Sequence, residues 1–199
     1  MSQRVEIRIV AGELKGRRLA CIVSPELRPT PLMVRQALFS ILGNAVPDRH
    51  FLDVFAGTGV FGIEAISRGA SVATFIERDF KLAQQIDDNL TAFKVVERGR
   101  VVRADAYRWA ERWMPVADEP VNLFVSPPFP DLTRKPEEFA TLVATLREKA
   151  PPGSVITLQL EIGYPPEALP YADWECRTYG RSVLAIWVKP LLPRVGVEA

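Results

Sequence analysis

The 199-residue sequence holds only two cysteines, Cys21 and Cys176, and a single histidine, His50. Cysteines this far apart supply neither a metal-ligand spacing nor a disulfide framework. One histidine, placed just before an apolar run, argues against a histidine-based triad and against a zinc site, so no metal is expected. No apolar run approaches the ~18 residues that span a bilayer, and the charged N-terminus is not followed by a signal-peptide core. A cytoplasmic protein with no membrane partner is therefore expected. Charge of one sign is lacking too: the net charge is +1, which selects no partner class by itself. Internal repeats and low-complexity linkers are absent.

What is present is ordinary soluble-protein material, 48% hydrophobic and 25% charged. The length suits one domain, or one domain with a small appendage, and a chain of this size buries roughly 70% of its unfolded surface. The charges are not evenly spread. Residues 1–35 carry seven Lys/Arg (Arg4, Arg8, Lys15, Arg17, Arg18, Arg28, Arg35) against three Glu. A basic N-terminal patch suits a polyanionic partner; a solvated surface is the simpler alternative.

Residues 5–22 predict a hairpin around Gly12 and Gly16. "SPELRPTP" is a turn-rich connector. Pro31 suits the first turn of a helix over "LMVRQALFSIL", with Thr30 as its N-cap and Gly43-Asn44 as its end. From His50 the pattern alternates. Strands are expected at "HFLDVFA", "SVATFIE", "GRVVRAD", "VNLFV" and "SVITLQL". Helices are expected over 59–68, 80–93, 106–113 and 133–149. That alternation predicts an α/β fold with a parallel sheet and right-handed crossovers. The tail, "WECRTYGRSVLAIWV", reads as an antiparallel hairpin turning at Gly180-Arg181.

Two loops carry chemistry. The first, from Asp53 to Gly62, contains a literal G-x-G-x-x-G, and Glu77 follows Gly57 by twenty residues. Alone, this fits a dinucleotide fingerprint. Asp53 argues otherwise, because a pyrophosphate at the loop would meet a like charge. A cofactor bearing an ammonium and a sulfonium, as S-adenosyl-L-methionine does, would meet an opposite one. Glu77 suits two ribose hydroxyls, and Asp105 an adenine amino group, with the Ala106 N–H pairing a ring nitrogen. Each acid alone could equally be a helix N-cap; three at successive strand ends are harder to explain that way.

The second loop is Ser126-Pro127-Pro128-Phe129. Proline has no N–H with which to extend a parallel strand, so this is a stiff loop at the carboxyl edge, where α/β sheets bind ligands. Its form, [Asp/Asn/Ser]-Pro-Pro-[Phe/Tyr], is an amino-methyltransferase signature. An exocyclic base amine is a poor nucleophile because its lone pair is delocalised into the ring. The Ser126 side-chain oxygen and the Pro127 carbonyl could both accept its hydrogens and draw the nitrogen toward a pyramidal form. Phe129 could stack on the base, worth roughly 1–3 kcal/mol. A base within a duplex would have to be flipped out or already unpaired.

"RIVAGELKGRRL", "LRPTPLMVRQALFSIL", "FLDVFAGTGVFGIEAISRGA", "FIERD", "RADA" and "VSPPF" occur in the order seen in the bacterial RsmD-like family, and over most of residues 7–132 the chain resembles it. Members methylate guanine N2 of small-subunit (16S) ribosomal RNA. The resemblance implies a class I, Rossmann-like methyltransferase domain over 46–199, a seven-stranded, mostly parallel sheet with a reversed last strand. It also implies an N-terminal hairpin-and-helix extension over 1–45. It implies catalytic roles for Ser126, Pro127, Pro128 and Phe129. Cofactor contacts are implied at Arg28, Pro29, Thr30, Asp53, Ala56, Gly57, Thr58, Gly59, Glu77, Arg78, Asp105, Ala106 and Ser126. The RNA-facing residues would be Arg8, Lys15, Arg17, Arg18 and Arg35. The partner would be ribosomal RNA or the small ribosomal subunit, met by a monomer. The chain departs from the pattern at Ser126, where Asp or Asn is usual, at Ala11-Gly12 in place of Gly-Gly, and after Thr30, where Pro31-Leu32 stands. Another DNA or RNA amino-methyltransferase, or an RNA-binding relative with weakened catalysis, stay open as alternatives.

Overall fold

A computed structural model describes residues 3–23 and 30–191; the contacts expected of Arg28 and Pro29 lie outside them. Strands β1 (Gln3–Arg8) and β2 (Arg18–Val23) form an antiparallel hairpin, and α1 spans Leu32–Leu42. The alternating segment then runs β3 (His50–Val54), α2 (Val60–Ser67), β4 (Val72–Glu77), α3 (Phe80–Phe93), β5 (Gly99–Arg103), α4 (Ala106–Arg112) and β6 (Val121–Val125). It continues with α5 (Phe129–Arg134), α6 (Pro136–Lys149), β7 (Val155–Glu161), β8 (Glu175–Tyr179) and β9 (Ser182–Val188).

The main sheet has seven strands in the order β5-β4-β3-β6-β7-β9-β8. Strands β3 to β7 are parallel, and β9 runs antiparallel to both of its neighbours. The expected α/β fold with a reversed last strand is the one adopted. The reversed strand lies inside the sheet because "SVLAIWV" is buried nearly throughout, whereas the polar, exposed "ECRTY" of β8 tolerates the edge.

Two local expectations are corrected. The helix expected over 133–149 begins at Pro136, and residues 129–134 form the separate helix α5. The cause is Pro136, which disfavours helical geometry in the residue before it; Lys135 sits at φ −135, ψ 49. Thr30 does not cap α1. Pro31 flanks that helix with no side-chain cap, and the Thr30 hydroxyl donates to Gln159 Oε1 instead.

Strand alternation divides the core. Phe51, Ala73, Phe75 and Phe124 face α1, α2, α3 and the hairpin; Leu52, Val54, Ile76, Leu123, Val125, Ile156 and Leu158 face α4, α5 and α6. Ile9, Leu14 and Leu19 of the N-terminal segment share a single cluster with Phe51 and Phe75. Polar contacts fix the hairpin there as well. Asn89 on α3 accepts from the Ala20 N–H and donates to the Ala20 carbonyl. Glu64 on α2, fully buried, accepts from the Val10 and Ala11 N–H groups. Gly12, at φ +78, lies so close to α2 that a Cβ would sit 1.6 Å from the Ser67 carbonyl oxygen.

Candidate active site

The carboxyl edge of the sheet is set by its period of two. Phe75 and Phe124 are buried on the α1–α3 side, so Glu77 and Ser126, two residues on, share that side one step nearer the edge. The register pairs Val125 with Leu158, and one step further Ser126 meets Gln159. The position between Glu77 and Ser126 belongs by register to Phe55. Phe55 leaves the row. It adopts φ 68, a conformation costly for an aromatic residue and typical of functional sites, and packs edge-on against Tyr107 at 5.3 Å on the opposite face. That leaves a gap in the row of side chains between Glu77 and Ser126, and Asp53 lies one step below it. The gap is also the topological switch point, where β3 is followed on one side by β4 and flanked on the other by β6.

Asp53 is 1% exposed and accepts one backbone hydrogen bond, from the Gly62 N–H at 3.0 Å. It thereby satisfies an open donor in the first turn of α2 from a neighbouring strand. Burial raises its pKa to about 8, offset in part by that hydrogen bond and reinforced by Glu77. A buried carboxyl with so little compensation is suited to a cation placed beside it. Glu77 holds the loop in shape: its Oε2 accepts from the Gly57 N–H and its Oε1 from the Asp79 N–H, both at 2.8 Å. Each carboxylate oxygen keeps further acceptor capacity for ligand hydroxyls. Gly59 sits at φ +74, where a Cβ would come 2.8 Å from Ile86, so no larger residue fits the turn. Ala56, Thr58 and Gly57 are buried in the same loop. Asp105 caps α4 through the Tyr107 and Arg108 N–H groups, and its second oxygen lies 3.9 Å from the exposed Arg78 guanidinium. Ala106 is buried behind it.

Across the gap, Ser126 continues the sheet through its N–H to the Val54 carbonyl and donates its hydroxyl to Gln159 Oε1 at 3.0 Å. Pro127 is buried, Pro128 exposed, and Phe129 half-buried at the start of α5. The structure adds Phe55, Tyr107, Asp131 and Gln159 to the expected set. Tyr107 donates to Asp131 at 3.1 Å, and burial, then the Asp131 charge, pushes its phenol above the ordinary value. Gln159 carried a signal, a lone amide in the apolar run "VITLQLE". Phe55 carried none.

The basic set divides. Arg8, Lys15 and Arg18 are exposed, Arg18 beside Glu6 at 2.9 Å. Arg17 is exposed but engaged: it donates to the Ala92 and Phe93 carbonyls at the end of α3 and covers the Phe93 ring at 4.5 Å. Arg35 is a correction. It is 3% exposed, lies 3.7 Å from Glu64 and donates to the Arg8 carbonyl, so it cannot face RNA. Among the described residues no group of three or more His, Cys, Asp or Glu could hold a metal ion, and no helix is long and apolar enough to cross a membrane.

The family described as conserved hypothetical protein 95 matches residues 7–188. The chain belongs to that family. Among relatives, ribosomal RNA small subunit methyltransferase D of Escherichia coli (strain K12) is 42% identical over 125 residues, 62% of this chain and 61% of that protein. The chain thus matches less than two thirds of that relative's length. YlbH of Bacillus subtilis (strain 168) is 29% identical over 184 residues, 92% of this chain and 99% of its own. The solved structure of yhhF from Escherichia coli superposes with a TM-score of 0.73 at 30% identity, covering 94% of this chain and 100% of that one. The RsmD-like resemblance of the motifs therefore extends to the family and the fold.

Proposed function

We propose that the protein is an S-adenosyl-L-methionine-dependent methyltransferase acting on the exocyclic N2 amine of a guanine in small-subunit ribosomal RNA. The observation that carries this reading is the gap left by Phe55. It puts a buried acid and a glycine turn on one side, and the Ser126-Pro127-Pro128-Phe129 loop on the other. The relative named for ribosomal RNA small subunit methylation supports the substrate class.

The residues fit the cofactor. Asp53 is a buried carboxyl short of compensating charge, as a cationic ligand requires. Glu77 and Asp105 stand at the ends of the next two strands for ribose and adenine, with Ala56, Gly57, Thr58, Gly59, Arg78 and Ala106 lining the same edge. When bound, the cofactor supplies an electrophilic methyl carbon on a sulfonium that leaves as a neutral thioether. The chain's share of the work is on the amine. The Ser126 oxygen and the Pro127 carbonyl accept its two hydrogens, Phe129 stacks on the base, and the prolines hold these groups in place for in-line approach. Methyl transfer to that amine would form the N–C bond at the expense of the cofactor's C–S bond, the electron pair remaining on sulfur. The proton lost from nitrogen goes to water, because Ser126 offers no carboxylate to keep it. Arg8, Lys15 and Arg18, exposed on the hairpin, supply RNA phosphate contacts.

Labelled methyl transfer tests the reading, with small ribosomal subunits and naked ribosomal RNA from cells lacking this protein, followed by nucleoside analysis. N2-methylguanosine is the expected product. Label in another nucleoside, or in DNA alone, would overturn the guanine assignment, and no transfer to any nucleic acid would overturn the activity.

A further inference from the structure

We infer that Gln159 is a positioning residue that makes the Ser126 hydroxyl act solely as a hydrogen-bond acceptor toward the target amine; this rests on the proposed amine methylation. A serine hydroxyl has one proton and two lone pairs, and left to rotate it can present either to a substrate. A proton pointed at an amine N–H would repel it and leave the nitrogen planar. At this site the proton has somewhere else to go. Ser126 Oγ lies 3.0 Å from Gln159 Oε1, an atom that can only accept. With the proton spent there, the lone pairs are left for the amine.

Gln159 is itself held. It is 3% exposed in β7, between β6 and β9, and its Nε2 donates to Ser182 Oγ at 3.1 Å. The Thr30 hydroxyl also donates to Oε1, at 3.3 Å. In the structure Oε1 thus faces the Ser126 and Thr30 hydroxyls and Nε2 faces the Ser182 hydroxyl. Asp and Asn, usual in the motif, carry a carbonyl or carboxylate oxygen that accepts without help. Serine needs its proton directed away, and the buried amide beside it does that.

The test is a double-mutant cycle read in kcat and KM. Gln159→Met keeps length and bulk but removes the acceptor, and its kcat should fall about tenfold, the worth of one misdirected hydrogen bond, with KM for the methyl donor unchanged. Gln159→Glu can accept from Ser126, Thr30 and Ser182 together and should recover most of that loss. Ser126→Ala retains the Pro127 carbonyl and a measurable rate; in that background Gln159→Met should cost nothing further, because no hydroxyl is left to orient. Should Gln159→Met not fold, Ser182→Ala, which releases the amide nitrogen, carries the same test, with about a threefold loss in kcat that vanishes over Ser126→Ala. S-adenosylhomocysteine affinity and melting temperature report folding. Losses that add in the Ser126→Ala background, or a Gln159→Glu no better than Gln159→Met, overturn the inference while leaving methyl transfer standing. Wild-type protein that transfers no methyl group overturns the function and this inference with it.

Discussion

If a cationic ligand sits above Asp53, binding it requires that carboxyl to ionise, and the requirement is measurable as a pH dependence of affinity. Burial holds the pKa near 8, so at about pH 6 only about one molecule in a hundred carries the charge, and at about pH 8 about half do. A ligand that binds only the ionised form should therefore bind about 50-fold more tightly at about pH 8 than at about pH 6. It should release close to one proton at the lower pH. The assay is calorimetry with S-adenosylhomocysteine, which carries the ammonium, in buffers of differing ionisation enthalpy. Adenosine lacks the ammonium and serves as the control, with affinity flat across the range. Asp53→Asn keeps an acceptor for the Gly62 N–H but cannot ionise; its affinity for S-adenosylhomocysteine should be weak and flat. The same proton governs stability of the ligand-free protein. Between about pH 4 and about pH 8 the folded state holds a proton that the unfolded chain has released, so folding binds the proton. The stabilisation is complete below the ordinary Asp range and is lost as pH rises through about 8, with a slope of about 1.4 kcal/mol per pH unit between. Asp53→Asn should flatten that slope. Affinity for S-adenosylhomocysteine within twofold across the range, or an Asp53→Asn protein with the wild-type profile, would refute the placement of a cation against this acid.

Two further outcomes test what holds the site's supports. Glu64→Gln removes the charge facing Arg35 and Arg68 from a fully buried position, leaving Arg35 uncompensated; urea unfolding should show a loss of about 3–5 kcal/mol. Arg147 on α6 makes two bonds to Asp173, at 2.7 and 2.9 Å, and lies 4.0 Å from the rings of Tyr171 and Trp187. Arg147→Ala should cost about 2–3 kcal/mol in the same assay and leave S-adenosylhomocysteine affinity unchanged, since nothing in this cluster reaches the β3–β6 gap.

Where the signal was local, the sequence reading and the structure coincide. Helix α3 runs from Phe80 to Phe93 as expected because both ends are written in adjacent residues: Asp79 caps Lys81 and Leu82, and Lys94 turns out at φ 58. Strand β6 likewise ends where Pro127 stops it. The misplaced start of α6 was local too. Pro136 lies inside an otherwise helical pattern and, like Pro127 and Pro128, marks a break in regular structure. Thr30 failed for a different reason. A hydroxyl before a helix suits a cap, but a buried amide 129 residues away offered it a competing partner.

Charge was a poorer guide than position. Lys15 and Arg35 looked alike as members of one basic segment, yet one is exposed and the other is 3% exposed against Glu64. What separates them is the helix period: Arg35 follows Val34 and precedes Leu38 on the buried stripe of α1. Glu64 lies twenty-nine residues away, and only the packing of α1 on α2 brings the two together. The acids illustrate the converse. Asp53, Glu77 and Asp105 were found from strand ends alone, but the strand period puts Asp53 a step deeper than Glu77, and depth is what sets its pKa. The same period explains why Ser126 has Gln159 beside it, since residues level in adjacent parallel strands face the same way. A motif search stops at the loop that carries the signature; the residue that determines how its serine behaves stands on the next strand, in register.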